Sequence, residues 1–464
     1  MAGFIFSISS EAGLDGLRER ILLGNYASIT PEIDGNMSRQ VVAAILADYC
    51  SMKAGDNVYF LSKRQIYGVG RLMNIGQDCK YKNYVSASQF VKKEEFDEND
   101  NPLTDASPLY RWICFFEPDY IFFDKGVDMD EVLTYKPSSF RMLRAFQDSS
   151  FIKIDDEENQ ALKECIYLKN KGNSNAFEYS DEDHRRIETF DLSKYLIHTS
   201  ETLKDEINST TSELNLEMLL EAALVEKIGR EGFEEERYDY ITHQVIASPF
   251  KPLVFIDKMD IFGYQFLQNF PSEPKPISQY LVIELKKDKA NSKMPLQLMR
   301  YVDWISREYA AGDYSKIKAV GVAKEYTKKI QDTLDNDCVR SYLCDTHPNV
   351  TKKWDNLELY EYVLDENGQV SLHKGDYHDW ISILKKRIEE IGFVCAKTKI
   401  TVKGVNFAPT FKISELKIAC FQEISESECN MLEENGWNVV VIDNINGYEC
   451  INNIMHQIFS CKKN

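Results

Sequence analysis

The chain has 464 residues, enough for about three domains and at least one large hydrophobic core. Its apolar content of 43% and aromatic content of 12% are typical of a globular protein, and no run approaches the roughly 18 apolar residues of a membrane span. The 74 acidic and 55 basic residues give a net charge of −19, which excludes a nonspecific coat on nucleic acid but leaves room for a local basic groove.

The first residues and the cysteines indicate where the protein works. The start, "MAGFIFSISSEAGLDG", lacks the basic region of a secretory signal, so we expect a cytoplasmic protein. The 11 cysteines include no C-x-x-C pair. The closest two, Cys338 and Cys344, have only His347 nearby, which is poor spacing for a structural zinc site. We therefore expect reduced thiols in the core.

The first 135 residues alternate short aromatic strands with glycine-containing turns. The strand candidates are "DNVYFLSK", "QIYGVGRLMN" and "YRWICFFEPDYIFF", and "SRQVVAAILADYC" predicts a helix. We expect a β-rich domain over residues 1–135. Residues 136–205 are polar and mainly helical, with solvated turns expected at "DDEEN" and "SDEDHRR", so this segment is predicted to be a connector.

An α/β pattern follows, beginning at "TTSELNLEMLLEAALVEKIG". Thr210 and Glu213 have the spacing of a capping box, and Gly229 supplies a helix stop. Next come the strand candidates "DYITHQVIAS", "LVFIDKMDIFG" and "YLVIELKKDKA", a helix opening at Pro295, the strand "IKAVGVA", the helical "KEYTKKIQDTL" and a hairpin at "LDENGQV". These elements predict an α/β core at 206–372, followed by a small α/β segment at 373–464.

The strand "YLVIELKK" places a carboxylate and an ammonium group two residues apart, Glu284 and Lys286. Because side chains alternate faces along a strand, both share one face with Tyr280 and Val282. One interpretation is a half-exposed strand with a solvated ion pair. The other is a metal-dependent phosphodiesterase, which needs carboxylates for Mg²⁺ and a cation near the developing phosphate charge.

A second carboxylate for such a site is Asp260, within the apolar run "KMDIFG". An isolated carboxylate there is costly unless it is paired or bound to metal. The alternative is a turn aspartate before Gly263. Asp257 is expected on the opposite strand face, so Asp260 is preferred.

Two helices offer further candidates at helical spacing. Gln297 and Tyr301 share a helix face, and so do Glu217 and Glu221 on the earlier helix. Either glutamate is a candidate for the same site. The alternative for each of these polar residues is a solvated helix face.

In this order, Glu217, Asp260, "IELK" and "QLMRYVDWI" resemble the PD-(D/E)XK nuclease superfamily. Over residues 206–335 the chain is most similar to the nuclease domain of the NucS/EndoMS endonucleases. The resemblance implies that Asp260, Glu284 and Glu217 surround the metal and Lys286 positions or activates water. It further implies that Gln297 and Tyr301 line the site. The nearby cations are candidate DNA contacts: Lys287, Lys289, Lys293 and Arg300.

The flanking segments carry resemblances of their own. "KAGDNVYFLSKRQIYGVGRL" is similar to PUA-like and EVE-like barrels, which hold a flipped base between aromatic walls. The available aromatics are Tyr59, Phe60, Tyr67, Trp112, Phe115 and Phe116, with core packing as the alternative.

The last segment resembles the Vsr-like branch of the same nucleases. Thr410 stands where that branch would carry an aspartate. The resemblance implies a degenerate nuclease domain that serves binding or assembly, and an ordinary α/β cap is the alternative.

Together these patterns predict a multidomain α/β protein. We expect a central restriction-endonuclease-like mixed sheet flanked by helices, a β-rich PUA-like barrel before it and a small α/β domain after it. The expected function is a Mg²⁺-dependent DNA endonuclease, with Mn²⁺ able to substitute, in restriction or antiviral defence against modified or foreign DNA. The alternatives are a NucS-type mismatch or branched-DNA repair endonuclease and a non-catalytic nucleic-acid or protein-binding scaffold. DNA is the expected partner, a homo-oligomer stays open, and no membrane is expected.

Overall fold

A computed structural model shows two compact units, Met1–Asp376 and Tyr377–Asn464. It describes residues 2–8, 13–22, 24–29, 39–82, 111–119, 125–140, 151–171, 181–189, 191–208, 216–247, 257–327, 330–375, 377, 380–443, 445 and 448–460. Across these ranges, no helix has the length and apolarity needed to cross a membrane.

The first unit begins with a layer of short strands and helices. Its strands are β1 (Gly3–Ser7), β2 (Asn25–Ile29), β3 (Asn57–Ser62), β4 (Gln65–Leu72), β5 (Lys80–Lys82), β6 (Arg111–Pro118), β7 (Val127–Asp128) and β8 (Phe151–Ile154). Its helices are α1 (Gly13–Leu22), α2 (Arg39–Cys50), α3 (Met129–Tyr135), α4 (Asp156–Lys169), α5 (Glu182–Ile187) and α6 (Thr199–Asn208).

These strands form one sheet in the order β2-β6-β4-β3-β1-β8, with β5 beside β6 and β7 beside β4. Strands β1 and β3 are parallel, and the other described pairs are antiparallel. Along the described strands the sheet stays open, so it does not close into the barrel expected from the sequence. Strand β8 and helix α4, from the segment predicted as a connector, belong to this layer.

The aromatic residues proposed to stack on a base lie inside this layer. Their exposed fractions range from 0% for Tyr59 to 9% for Tyr67. Phe60 and Phe116 contact each other and Phe6 in the core, and Trp112 stacks on Tyr49. The core-packing alternative therefore holds for all six residues, because none of their side chains is open to a base.

The same unit continues with the predicted α/β core. Its elements are α7 (Leu216–Glu231), β9 (Tyr240–Ile246), β10 (Lys258–Phe266), β11 (Ile277–Ala290), α8 (Lys293–Glu308), β12 (Ile317–Tyr326), α9 (Ile330–Asp337), β13 (Arg340–Thr346), β14 (Asn349–Trp354), β15 (Leu357–Leu364) and β16 (Val370–Gly375). Six strands form a mixed sheet in the order β16-β15-β12-β11-β10-β9, and β13 pairs with β14. Strand β12 is parallel to β11 and β15, and the remaining neighbours are antiparallel. The predicted mixed α/β fold is confirmed.

Strand β11 lies in the middle of this sheet, between β12 and β10. Residues 280–285 are all buried, and the side chains of Leu281, Ile283 and Leu285 belong to a core that also contains Leu220 and Leu224 of α7. The half-exposed strand considered from the sequence is therefore wrong for this stretch, because both of its faces are covered.

Several local predictions differ from the structure in their boundaries. Helix α7 continues past Gly229 and is followed by Gly232, whose φ of +89° suits the residue after a helix. The predicted capping residues Thr210 and Glu213 lie outside the described residues. Helix α8 opens at Lys293 rather than Pro295, and β12 runs on to Tyr326, into the stretch predicted to be helical.

The second unit has a small core of its own. It contains α10 (Trp380–Glu390), β17 (Ile400–Val402), β18 (Val405–Phe407), β19 (Phe411–Ile413), β20 (Ile418–Phe421), α11 (Glu426–Glu434), β21 (Asn438–Val441) and α12 (Tyr448–Ser460). Strands β19, β20 and β21 form one sheet, and β17 pairs with β18. Leu384, Phe411 and Ile451 pack in its core. Thr410 accepts a hydrogen bond from the Gln422 backbone N–H at 3.2 Å.

Candidate active site

Two acidic residues meet where the ladder between β10 and β11 ends. Ile261 pairs with Ile283, so Asp260, one residue earlier, and Glu284, one residue later, come next in register on the two antiparallel strands. Asp260 Oδ2 accepts a hydrogen bond from the Leu285 backbone N–H at 2.8 Å. The structure therefore brings together the two carboxylates singled out in the sequence.

The Glu284 side chain is only 1% exposed. Its Oε1 accepts a hydrogen bond from Lys286 Nζ at 2.9 Å, and its Oε2 is buried without a hydrogen-bond partner among the described residues. Burial raises the pKa of Glu284, although Lys286 opposes this shift. A buried carboxylate oxygen without a partner is costly, so this position favours a bound cation.

The pKa of Asp260 is raised more strongly than that of Glu284. Burial, followed by the negative charges of Glu284 and Glu221, raises the pKa of Asp260 well above its ordinary value. Two carboxylates this close disfavour each other's ionised form unless a cation lies between them.

Lys286 lies between the carboxylates of two different elements. Its Nζ is 2.9 Å from Glu284 Oε1 and 3.7 Å from Glu217 Oε1 on α7. Burial alone would lower the pKa of Lys286, but the neighbouring carboxylates outweigh it and the pKa is raised, so the side chain stays an ammonium group. Glu217 Oε2 also accepts a hydrogen bond from the Lys287 backbone N–H at 2.9 Å.

Gln297 and Tyr301 of α8 contact each other beside β10. Gln297 Nε2 donates to the Tyr301 hydroxyl at 2.7 Å, and that hydroxyl donates to the backbone oxygen of Lys258, also at 2.7 Å. Burial and then the charge of Glu284 raise the pKa of Tyr301, which keeps it a neutral phenol. The pair therefore braces the strand two residues before Asp260.

Two polar residues of β9 that are not among the sequence-predicted site residues, His243 and Gln244, adjoin the site. Gln244 Nε2 donates to Glu221 Oε2 at 2.9 Å and lies 3.5 Å from Asp260 Oδ1. His243 Nδ1 lies 2.5 Å from Glu221 Oε1. The sequence signal for both residues is the adjacent His-Gln pair within the mostly apolar strand "YITHQVI".

Gln244 also adopts a φ of +53°, in the left-handed region that costs a non-glycine residue about 1–3 kcal/mol. Because both carboxylate oxygens of Glu221 accept bonds from His243 and Gln244, Glu221 is committed to this contact, and Glu217 is the glutamate beside Lys286.

Asp260, Glu284 and Glu217 carry the carboxylate oxygens that Mg²⁺ prefers as ligands. Within the described ranges, no three His, Cys, Asp or Glu side chains form a ready metal site, so Glu217 does not complete one with Asp260 and Glu284. Mg²⁺ however is commonly held by one or two carboxylates, with waters and substrate phosphates filling the other positions. The Asp260 and Glu284 pair, with its unpartnered buried oxygen, fits this requirement.

The four cations proposed to contact DNA are exposed and belong to β11 and α8, two elements that carry site residues. Lys287 and Lys289 continue β11 beyond the carboxylates, and Lys293 and Arg300 belong to α8. Lys289 Nζ is 2.9 Å from Glu325 Oε1, so part of its charge is already balanced.

Comparison with known proteins gives limited likenesses. No protein-family model matches the chain, and no curated protein matches it. A repair endonuclease from Pyrococcus abyssi is similar over 28% of this chain and 46% of its own length, with 22% identity and a TM-score of 0.18. This chain thus spans less than half the length of that endonuclease.

Two smaller proteins match over nearly their whole length. One is a hypothetical protein from Leishmania major, similar over 37% of this chain and 98% of its own, with 11% identity and a TM-score of 0.23. The other, from Pseudomonas putida, covers 35% of this chain and 99% of its own, with 13% identity and a TM-score of 0.21. At TM-scores this low, none of the three likenesses carries an argument about function.

Proposed function

We propose that the protein is a metal-dependent endodeoxyribonuclease. The observation that carries this proposal is the half-buried Asp260 beside the buried Glu284. The charge of Glu284 raises the pKa of Asp260, and Glu284 Oε2 is buried without a hydrogen-bond partner among the described residues, so the pair favours a divalent cation, with the Lys286 ammonium group beside it. The order of these residues, which resembles the PD-(D/E)XK nucleases, supports the same reaction.

Each residue has a distinct role in this proposal. Asp260 and Glu284 would hold Mg²⁺, which when bound polarises the scissile phosphate and acidifies a water. The Lys286 ammonium group stabilises negative charge that develops on the phosphate or orients the attacking water. Glu217 holds Lys286 from the side of α7, and Tyr301 with Gln297 fixes the strand that carries Asp260.

DNA is the proposed substrate because β11 and α8, which carry the proposed site residues, also carry exposed lysines on an otherwise acidic chain. A role in restriction or antiviral defence is proposed from the architecture, in which a separate β-rich layer precedes the nuclease core. Since the aromatics of that layer are buried, recognition of a modified base there would use other residues.

A cleavage assay tests the proposal. The protein is incubated with plasmid DNA and Mg²⁺ or Mn²⁺, and we expect nicking or linearisation that EDTA stops. Asp260→Asn and Lys286→Ala are expected to reduce the rate at least 100-fold, by analogy with the loss of a single transition-state contact. Glu231→Gln, at the exposed end of α7, is the control and is expected to cut normally.

The substrate panel separates the competing interpretations. Unmodified, methylated, hydroxymethylated, mismatched, branched and single-stranded DNA are compared, together with RNA. Preference for modified DNA supports defence, and preference for mismatches or branches supports repair. Equal cutting by wild type, Asp260→Asn and Lys286→Ala would identify a contaminant, and failure to cut any substrate would leave the non-catalytic scaffold as the better interpretation.

A further inference from the structure

A line of buried polar side chains leads from α2, in the N-terminal layer, to the candidate active site. It begins with Asp48 on α2, passes through His243 on β9 and Glu221 on α7, and ends with Gln244 against Asp260. Asp48, His243 and Glu221 are 3%, 1% and 2% exposed. Charged groups buried this deeply are costly unless they are paired, so the arrangement needs a reason beyond packing.

His243 is the centre of this line because each of its ring nitrogens faces a carboxylate. Its Nδ1 lies 2.5 Å from Glu221 Oε1, and its Nε2 lies 3.4 Å from Asp48 Oδ1. The carboxylate of Asp48 thereby favours one ring orientation of His243, and His243 in turn holds Glu221.

Glu221 passes this constraint on to Asp260 through Gln244. Its second oxygen accepts the Gln244 amide at 2.9 Å, and the same amide nitrogen lies 3.5 Å from Asp260 Oδ1. Gln244 has a left-handed φ of +53°, and at this residue the pairing between β9 and β10 skips one position. A strained residue stays in place only where its surroundings hold it, and here Glu221 supplies that hold.

We infer that His243 and Asp48 are positioning residues for the Asp260 carboxylate. This inference rests on the proposed nuclease function and extends it, because it makes α2 of the N-terminal layer a support of the site. Neither residue touches substrate or metal in this scheme; both act through Glu221 and Gln244.

The test compares Asp48→Asn and His243→Gln with His184→Gln in the full chain. His184 is a matched control because it is also buried, at 4% exposure, and bonds the backbone oxygen of Gly24 within the N-terminal layer. For both line variants we expect kcat to fall at least tenfold while KM stays within twofold. For His184→Gln we expect kcat and KM within twofold of wild type, whatever happens to its melting temperature.

Two further measurements distinguish positioning from general damage. The double variant Asp48→Asn/His243→Gln is expected to lose no more kcat than His243→Gln alone, because both residues act through the same carboxylate. Calorimetric titration with Mn²⁺ in the absence of DNA is expected to show affinity at least fivefold weaker in His243→Gln than in His184→Gln.

The outcomes separate this inference from the proposed function. If wild type cuts DNA and binds Mn²⁺ while both line variants match it, the positioning role is refuted and the nuclease proposal stands. Multiplicative losses in the double variant would also refute it, since the two residues would then act independently. If wild type neither binds Mn²⁺ nor cuts, the proposed function fails and this inference falls with it.

Discussion

Glu284 shows how a single buried carboxylate can be costly to the fold and useful to a reaction. One of its oxygens is bonded to Lys286 and the other has no hydrogen-bond partner among the described residues. Asp260 adds a second negative charge at the same place, and its own pKa is raised by burial and by Glu284. Without a cation, the repulsion between these two carboxyl groups destabilises the folded state. A bound cation relieves that repulsion and thereby stabilises the fold.

Neutralising Asp260 should therefore stabilise the metal-free protein. For Asp260→Asn we expect the free energy of unfolding in EDTA to rise by roughly 1–3 kcal/mol, because a carboxyl group whose ionised form is disfavoured by burial and by Glu284 is replaced by a neutral amide, while an oxygen still accepts from Leu285 N–H. Urea unfolding at neutral pH measures the change. Loss of stability in Asp260→Asn would contradict the proposed repulsion between Asp260 and Glu284.

The pKa of Glu226 is shifted downward, in the opposite direction from that of Asp260. Burial alone would raise its pKa, but hydrogen bonds from His198 and Thr199 outweigh burial and leave the pKa below its ordinary value of 4.5. Its Oε2 accepts from the Thr199 backbone and hydroxyl at 2.8 and 2.6 Å, at the start of α6, and Arg230 faces its Oε1 at 3.3 Å.

This lowered pKa predicts a stability loss in acid. Since the folded-state pKa of Glu226 lies below the unfolded one, its contribution is present above pH 4.5 and disappears as the pH falls through the lowered value. Glu226→Gln should cost about 1.5–3 kcal/mol at neutral pH and flatten this part of the acid curve. Glu231→Gln, at an exposed i,i+4 pair with Lys227, is the control and should change stability by under about 0.5 kcal/mol. An unchanged acid curve in Glu226→Gln would refute the assignment.

At the scale of elements, the sequence predicts the helices, strands and turns that have a strong local pattern. The helix of "LEMLLEAALVEKIG", the strand around "VIEL" and the hairpin at "DENGQ" all appear where their patterns predict them. An acidic residue in one strand followed by E-x-K in the next also points to Asp260 and Glu284. Asp260 directly precedes a buried strand run, and Glu284 directly follows one. These features depend on local spacing, which a sequence displays directly.

The features that the sequence did not reveal depend on contacts between distant segments. One exception is local: "DDEEN" predicts a solvated turn, whereas Asp155 and Glu158, three residues apart, form a capping box that opens α4. The role of Glu221 depends on His243, 22 residues away, and on Asp48, which lies on another helix. No periodicity within one segment carries that information.

Two glycines with nearly equal positive φ angles give a matched test of how α7 ends. Gly232 and Gly312 have φ values of +89° and +88°, but a Cβ on Gly232 would collide with the backbone oxygen of Glu236, whereas nothing lies within 4 Å of a Cβ on Gly312. Gly312→Ala should cost only the conformational strain, about 1–2 kcal/mol.

Gly232→Ala should cost about 1–3 kcal/mol more than Gly312→Ala, because the overlap adds to the strain. Chemical unfolding of both variants measures the difference. Equal losses would show that the turn after α7 can move, and that the Gly232 contact does not fix it.

At the scale of the whole molecule, charge is distributed unevenly. The net charge of −19 repels DNA, while Lys287, Lys293 and Arg300 are exposed on β11 and α8, which also carry Glu284 and Gln297. Association with DNA should therefore depend on a small number of phosphate contacts, and its salt dependence counts them.

Single lysine substitutions can identify which cations make those contacts. Each phosphate contact contributes about 0.9 to the slope of log affinity against log salt on duplex DNA, so Lys287→Ala and Lys293→Ala should each lower the slope by about that amount. Lys289→Ala should lower it less, because Lys289 already pairs with Glu325 at 2.9 Å. Fluorescence anisotropy with labelled duplex in EDTA, which stops cleavage, measures the slopes over a range of salt concentrations. If all three variants kept the wild-type slope, DNA would not contact this face, and the phosphodiester would have to reach Asp260 and Glu284 by another route.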